Sequence, residues 1–386
     1  NRRSRGLGDV YKRQYLYSFI IAITLGNLAY ASPIPPAPNL NVKAYVLMDF
    51  DSGMILASTN KDLTLPPASI TKMMTAYLAF TELNENNVSL SEDVLVSKKA
   101  WKTGGSKMFI EVGKKIKLKD ILQGVITVSG NDASVALAEH ISGDENTFAI
   151  YMNQMAKNIG LMNTNYTNAT GLPNDSLYTT AEDIALLSRS LISNFPDLYK
   201  LYSTKSFKFN DIKQYSRNKL LFIDDNVDGI KTGFTNAAGY CLASSAKRGN
   251  RRLIAVVMGA PTPDVRIQSS RTLLEYGFRF FETHKLFKKD IEISKARVYG
   301  GDKSEVKFGV NQDSSVTIPR RQKKNLKYQY VIDKQLTAPI SQNETIGFMH
   351  VKLNDEIIQT YKLTALESVN QGSLYRRTVD SFLMDL

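Results

Sequence analysis

Pro66-Pro67-Ala68-Ser69-Ile70-Thr71-Lys72-Met73-Met74-Thr75-Ala76-Tyr77-Leu78 is a brake followed by a helix. The two prolines stop the preceding chain, and the run from Ser69 to Leu83, rich in Met, Ala, Leu and Phe, predicts a helix. Ser69 then sits in the first turn, where unpaired backbone N–H groups favour a developing negative charge. Lys72, three residues on, shares its helix face. A lysine in a dry, cation-rich site loses its proton near neutral pH and can activate a serine hydroxyl. Ser-x-x-Lys also occurs at Ser58, Ser216, Ser244 and Ser304. The spacing by itself is therefore better explained by an ordinary helix start beside a solvated lysine. Only Ser69 opens an apolar helix behind a proline brake.

Two further short motifs change that balance. Leu118 to Val128 and Asp132 to Ile141 both read as helices, and Ser129-Gly130-Asn131 falls at the break between them. There its side chains can point into a cleft, giving a second hydroxyl for proton transfer and an amide to hold a substrate carbonyl. A loop in which Asn131 caps the next helix is the alternative. Lys-Thr-Gly occurs twice. The copy at Lys102-Thr103-Gly104 lies in a polar, Gly-rich stretch (97–107) and reads as a loop. The copy at Lys231-Thr232-Gly233 lies in Val227-Asp228-Gly229-Ile230-Lys231-Thr232-Gly233, before strand-like runs at 239–245 and 253–259. A strand carrying Lys231 and Thr232 can line a cleft opposite the Ser69 helix, with Gly233 allowing close approach of a substrate backbone.

In this order and spacing the three motifs resemble the penicillin-recognising serine enzymes. Tyr45-Val46-Leu47-Met48-Asp49, Ser129-Gly130-Asn131-Asp132-Ala133, Asn226-Val227-Asp228-Gly229 and Tyr276-Gly277-Phe278-Arg279-Phe280-Phe281-Glu282 narrow the resemblance. It becomes one to the low-molecular-mass penicillin-binding proteins, the D-alanyl-D-alanine carboxypeptidases with a C-terminal β-domain and a membrane anchor. The similarity covers residues 40–386. It implies an α/β penicillin-recognising serine transpeptidase/β-lactamase-like domain, a β-sheet flanked by helices with an all-helical region, followed by a small all-β domain.

The resemblance also implies a mechanism. Ser69 attacks the carbonyl between two terminal D-alanines, with Lys72 as general base. The N–H groups of Ser69 and Phe234 form the oxyanion hole, while Ser129 and Lys231 pass a proton to the leaving amine. Thr232 and a nearby guanidinium hold the terminal carboxylate; Arg217 and Arg266 are the candidates, each equally readable as a solvated surface arginine. Asn131 and Gly233 complete the substrate contacts, and the side chain of Phe234 has no assigned role. Peptidoglycan stem peptides are the implied substrate, and β-lactams the implied covalent inhibitors of Ser69. Class A β-lactamases add a loop Glu that activates the deacylating water. No such motif lies between Asn131 and Lys231, since Glu182 reads as the first turn of a helix capped by Thr180.

The rest of the inventory narrows the chemistry. The chain has three His and one Cys. None of His140, His284 and His350 stands beside a nucleophile-elbow motif or forms a metal pair, so neither a Ser-His-Asp triad nor a zinc hydrolase is expected. No metal and no cofactor is expected. His140 reads as a helix C-terminal dipole partner and Cys241 as a core residue.

Lys12-Arg13 precede an apolar run from Tyr15 to Leu28, and Ala29-Tyr30-Ala31 offers a cleavage site. Residues 1–31 are thus expected to be a signal peptide, with a non-native or truncated start at 1–14. Their removal takes away five cations and one anion and lowers the formal charge from +12 to +8. A basic exported protein suits an anionic wall or membrane surface; export argues against nucleic acid. The expected location is the periplasm or the outer face of the cytoplasmic membrane.

Residues 40–284 are expected to form the catalytic domain. It begins with a hairpin (44–50 and 54–58), continues through helices from 69 to 191, and ends in a helix over 263–283. Short alternating strands over 287–366 predict the β-domain. Its basic run Arg320-Arg321-Gln322-Lys323-Lys324 is a solvated turn or a contact for anionic polymer or lipid. Residues 373–386 place Leu374, Val379, Phe382, Leu383 and Leu386 near one helical face, an interfacial membrane helix or a protein-packing one. The functional expectation is a serine D-Ala-D-Ala carboxypeptidase. A DD-endopeptidase or β-lactamase of the same fold, and a non-catalytic wall-binding scaffold, are the competing readings.

Overall fold

The computed structural model describes residues 35–333 and 335–384. The expected signal peptide (1–31) and Leu386 of the tail lie outside the described residues. The first unit is organised by an antiparallel sheet in the order β2-β1-β9-β8-β7. Its strands are β1 (Ala44–Asp49), β2 (Ile55–Thr59), β7 (Val227–Thr235), β8 (Gly239–Arg248) and β9 (Arg251–Ala260). β1 is buried along its whole length, and its alternation divides two cores. Ala44, Val46 and Met48 face the helical region, whereas Tyr45 and Leu47 pack with Leu273 and Leu274 of the C-terminal helix. This is the period of two expected for a strand covered on both faces.

The helical region comprises α1 (Lys72–Asn84), α2 (Lys98–Lys102), α3 (Leu118–Ile126), α4 (Asn131–Ser142), α5 (Glu145–Asn158) and α6 (Ala181–Asn194). α1 is buried at every position from Lys72 to Phe80, which makes it the axis of this region. Two small hairpins flank it, β3 (Asp93–Leu95) with β4 (Lys115–Lys117), and β5 (Ser206–Phe209) with β6 (Ile212–Tyr215). A short α7 (Leu220–Ile223) leads into β7, and α8 (Pro263–Phe280) covers the sheet's other face. The Thr180 and Thr262 side chains cap α6 and α8, accepting from Asp183 N at 3.1 Å and Val265 N at 3.2 Å.

Three sequence readings change. Lys98–Lys102 is a helical turn rather than loop, because Ser97 caps it by accepting from Ala100 N at 3.0 Å. β6 was not expected; it pairs with β5 across Asn210-Asp211, whose φ values of 46° and 59° suit the tight turn of a two-residue hairpin. The helix expected to reach Thr283 ends at Phe280, and Phe281–Lys285 is a strand (β10) paired with β13 (Ser315–Pro319). Tertiary contacts override propensity there. The Phe281 carbonyl accepts from Arg251 Nη1 at 2.6 Å, and Thr283 Oγ1 donates to Asp49 Oδ2 at 2.6 Å.

The second unit is a five-stranded sheet in the order β11-β12-β16-β15-β14. Its strands are β11 (Ser294–Arg297), β12 (Glu305–Val310), β14 (Leu326–Ile332), β15 (Thr345–Leu353) and β16 (Glu356–Ala365). The basic run is a turn in which Arg320 Nη2 donates to the Phe278 carbonyl at 2.9 Å, so one of its cations ties the units together. Helix α9 (Leu374–Met384) lies against the loop between β11 and β12. Asp380 accepts from Gly300 N at 2.7 Å, and Arg376 Nη1 donates to the Asp302 carbonyl at 2.9 Å. Leu374 is 74% exposed and Phe382 71%, so the helix turns polar groups to that loop and apolar ones to solvent.

The junction between the units is a buried polar hub. Asp49, with no solvent exposure, accepts from Ser52 N and Ser52 Oγ at 3.0 Å each and from Arg251 Nε at 3.2 Å. Ser52 Oγ lies 2.6 Å from Thr317 Oγ1 of the second unit. Removing one partner of a buried ion pair leaves the other charge uncompensated, which costs about 3–5 kcal/mol. Asp49→Ala is expected to lower the thermal unfolding midpoint accordingly, measured by circular dichroism; an unchanged midpoint would show that the hub carries no stability.

Candidate active site

Ser69 sits in a single helical turn, Ala68–Thr71, that feeds directly into α1. Ala68 has φ +48°, a left-handed conformation that an alanine adopts only when its surroundings impose it. Gly171 packs directly against this turn. A Cβ there would lie 1.9 Å from the Ala68 carbonyl oxygen, so only glycine fits against the Ser69 turn.

Lys72 is buried at the start of α1. Its Nζ lies 3.1 Å from Ser69 Oγ, and it donates to Asn131 Oδ1 at 2.7 Å and to the Thr170 carbonyl at 2.5 Å. Burial holds its pKa well below the usual lysine value; the Lys231 and Arg217 charges push the same way, and Asp132 opposes them. Facing it across the cleft, Lys231 Nζ donates to Ser129 Oγ at 2.8 Å and to the Thr232 carbonyl at 3.1 Å. Burial first, then Arg217 and Arg266, lowers Lys231 to about 7.

The remaining motif residues are held by local chemistry. Ser129 has φ +62° at the break between α3 and α4, and Gly130 rather than Asn131 occupies the helix cap. Asn131 Nδ2 donates to the Gly104 carbonyl at 2.7 Å, while its oxygen serves Lys72. One amide hydrogen is left for a substrate carbonyl. Asp132 accepts from Met108 N at 2.8 Å and Phe109 N at 2.9 Å, fastening the 104–110 segment beside α4. The first Lys-Thr-Gly therefore supplies a backbone carbonyl to the site, and the second supplies its lysine.

These groups meet in a cleft of about 540 Å³ between the helical region and β7, the edge strand of the sheet. Ser69, Ser129, Asn131, Thr232, Gly233 and Phe234 line it, and so do both arginine candidates, Arg217 and Arg266. Arg266 is buried, its charge disfavoured by that burial, and its Nε has no hydrogen-bond partner among the described residues. Its guanidinium lies 5.8 Å from the centre of the Tyr240 ring. No Asp or Glu is among the lining residues. Glu182 is elsewhere, in α6, paired with Lys61. His140 pairs with Glu92 at 2.7 Å, and Cys241 is fully buried in β8, its thiol pushed up to about 11 by burial.

Sequence reasoning missed Thr170, Gly171, Ser106 and Tyr240, all at the cleft. Asn168-Ala169-Thr170-Gly171 carries a turn signal, with Asn168 Oδ1 accepting from Gly171 N at 2.7 Å. Nothing in that signal says that the Thr170 carbonyl turns toward a lysine.

The match to known proteins is extensive. The sequence profile of the D-alanyl-D-alanine carboxypeptidases matches residues 31–262, and that of the penicillin-binding protein 5 C-terminal domain matches residues 281–371. The D-alanyl-D-alanine carboxypeptidase DacC of Escherichia coli (strain K12) is 42% identical over 356 residues, 90% of this chain and 89% of the relative. Penicillin binding protein 5 from Haemophilus influenzae superposes with a TM-score of 0.83 at 42% identity, covering 86% of this chain and 99% of that one. Penicillin-Binding Protein D2 from Listeria monocytogenes in the ampicillin-bound form superposes with a TM-score of 0.58 at 32% identity, over 63% of this chain and 100% of that one. With its catalytic profile spanning more than half the sequence and its fold shared along nearly the whole of a solved relative, the chain belongs to the D-alanyl-D-alanine carboxypeptidase family.

Proposed function

We infer that this protein is a serine-type D-Ala-D-Ala carboxypeptidase that removes the terminal D-alanine from peptidoglycan stem peptides. The observation that carries the reading is the buried Lys72 amine 3.1 Å from Ser69 Oγ. A neutral lysine has two N–H bonds and one lone pair. Asn131 Oδ1 and the Thr170 carbonyl can only accept, so they take both N–H bonds and turn the lone pair toward the serine. Ser69 Oγ then attacks the penultimate D-alanine carbonyl as its proton passes to Lys72. The N–H groups of Ser69 and Phe234 serve as oxyanion donors, each contributing about 3 kcal/mol. Ser129 and Lys231 return a proton to the departing amine, and water hydrolyses the ester.

Thr232 with Arg217 and Arg266 receives the terminal carboxylate, which suits a cleft lined by cations and no acid. The same lack of an acid to activate water favours slow release of a β-lactam acyl group over β-lactamase turnover. D-Alanine release from a pentapeptide ending in D-Ala-D-Ala, together with a covalent mass gain on incubation with benzylpenicillin, tests the reading. A folded protein that does neither rejects it.

Export, the division into a catalytic unit over 40–284 and a β-domain over 287–366, and peripheral membrane contact through residues 373–386 belong to the same reading. No helix among the described residues is long and apolar enough to cross a membrane. The membrane contact is supported by the outward apolar face of α9, whose Asp380 and Arg376 are engaged by the loop between β11 and β12. The full chain is expected to sediment with anionic vesicles, and Phe382→Glu to leave it in the supernatant. Equal sedimentation of both would remove the anchor from the proposal.

A further inference from the structure

Phe234 follows the Lys231-Thr232-Gly233 motif directly, and its ring, 48% exposed, stands at the cleft with no partner in the reaction just described. It stacks on Tyr240, its cross-strand neighbour in the β7–β8 register, with centroids 4.2 Å apart and planes 25° from parallel. Tyr240 in turn lies beneath the Arg266 guanidinium. Phe234 and Tyr240 thus form a stacked pair that adjoins a buried cation and presents an exposed apolar face.

Strand geometry says what that face is next to. Residues two apart on a strand share a face, about 6.7 Å from each other. Thr232 and Phe234 are such a pair, and Tyr240 and Arg266 line the same cleft. A terminal carboxylate held at Thr232 and the arginines puts the side chain of the terminal residue beside the Phe234 ring. The methyl group of D-alanine is small and covers little of that ring. A larger apolar side chain covers the ring and removes its exposed face from water.

We propose that the Phe234–Tyr240 stack is a leaving-group shelf that lets this enzyme release bulky apolar and aromatic D-amino acids as well as D-alanine. The inference rests on the carboxypeptidase reading and extends it to a wider substrate class. The bond broken is the same amide. Ser69 Oγ forms the same acyl ester, and the D-amino acid departs with its amine protonated through Ser129 and Lys231.

The test compares two peptides that differ only at the last residue, ending in D-Ala-D-Ala and in D-Ala-D-Phe, with the full chain. Wild type is expected to cleave the D-Phe peptide with a kcat/KM within about tenfold of the D-Ala peptide. Phe234→Ser is expected to lower the D-Phe to D-Ala ratio by about tenfold or more, mainly through KM, and Phe234→Tyr to preserve it. Tyr240→Leu, which removes the layer beneath the ring, is expected to move the ratio the same way and gives a second route should Phe234→Ser misfold. Release of D-alanine with no cleavage of the D-Phe peptide, or a ratio unchanged in Phe234→Ser, overturns the shelf and leaves the carboxypeptidase reading standing. No D-alanine release from wild type overturns both.

Discussion

Ser69→Ala is expected to lower D-alanine release by about 10⁶-fold, the loss in kcat seen when the nucleophile of a serine hydrolase is removed. The same variant is expected to gain no mass from benzylpenicillin, since no other hydroxyl among the described residues combines the Lys72 contact with a place on the cleft wall. Lys72 keeps its bonds to Asn131 and the Thr170 carbonyl without the serine. The fold is therefore expected to survive, with a melting point within a few degrees of wild type. The assay is D-alanine release beside intact-mass spectrometry on protein of matched thermal stability. Residual release within tenfold of wild type would mean that another group is the nucleophile. Ser129 is the first to suspect, being hydrogen-bonded to a lysine of its own.

Lys72→Arg is expected to cost about 10²- to 10⁴-fold in kcat/KM, the usual contribution of a positioned base. A guanidinium stays protonated at any working pH and has no lone pair to take the serine proton. Lys72→Met, of similar length and uncharged, is expected to lose as much, which separates loss of a base from crowding. In wild type the pH profile follows from the two lysines. Lowering the pH protonates Lys72, whose pKa burial depresses, and activity falls on the acid side. Raising the pH through about 7 removes the proton from Lys231, and kcat/KM falls on the alkaline side. A bound carboxylate favours the charged form of Lys231, so the alkaline limb of kcat is expected at higher pH than that of kcat/KM. Lys231→Arg should carry that limb out of the accessible range. A kcat/KM profile with no fall on the alkaline side of pH 7 would contradict the assignment of Lys231.

Much of this site was legible because its signals are local. The proline pair before an apolar run marks the Ser69 turn, a Ser-Gly-Asn between two helical runs marks a break, and strand-like apolar runs mark β8 and β9. These depend on residues within a few positions of one another. The 263–283 segment shows where locality fails. Its helical pattern continues past Phe280, yet β13 and Arg251 take the backbone of Phe281–Lys285 into a strand.

Within the cleft the same division holds. The sequence alone supplied the candidate serine, its neighbouring lysine and the cationic character of the chemistry, because residue type carries acidity, nucleophilicity and charge. Only the tertiary structure brought the lysine of the second Lys-Thr-Gly copy to Ser129. It alone brought Arg217 and Arg266 to one cleft, and it set the Thr170 carbonyl, 98 residues away in the chain, against Lys72. The physical reason is that a backbone carbonyl has no side-chain signature, and the pKa of a lysine depends on burial and on charges delivered from distant segments.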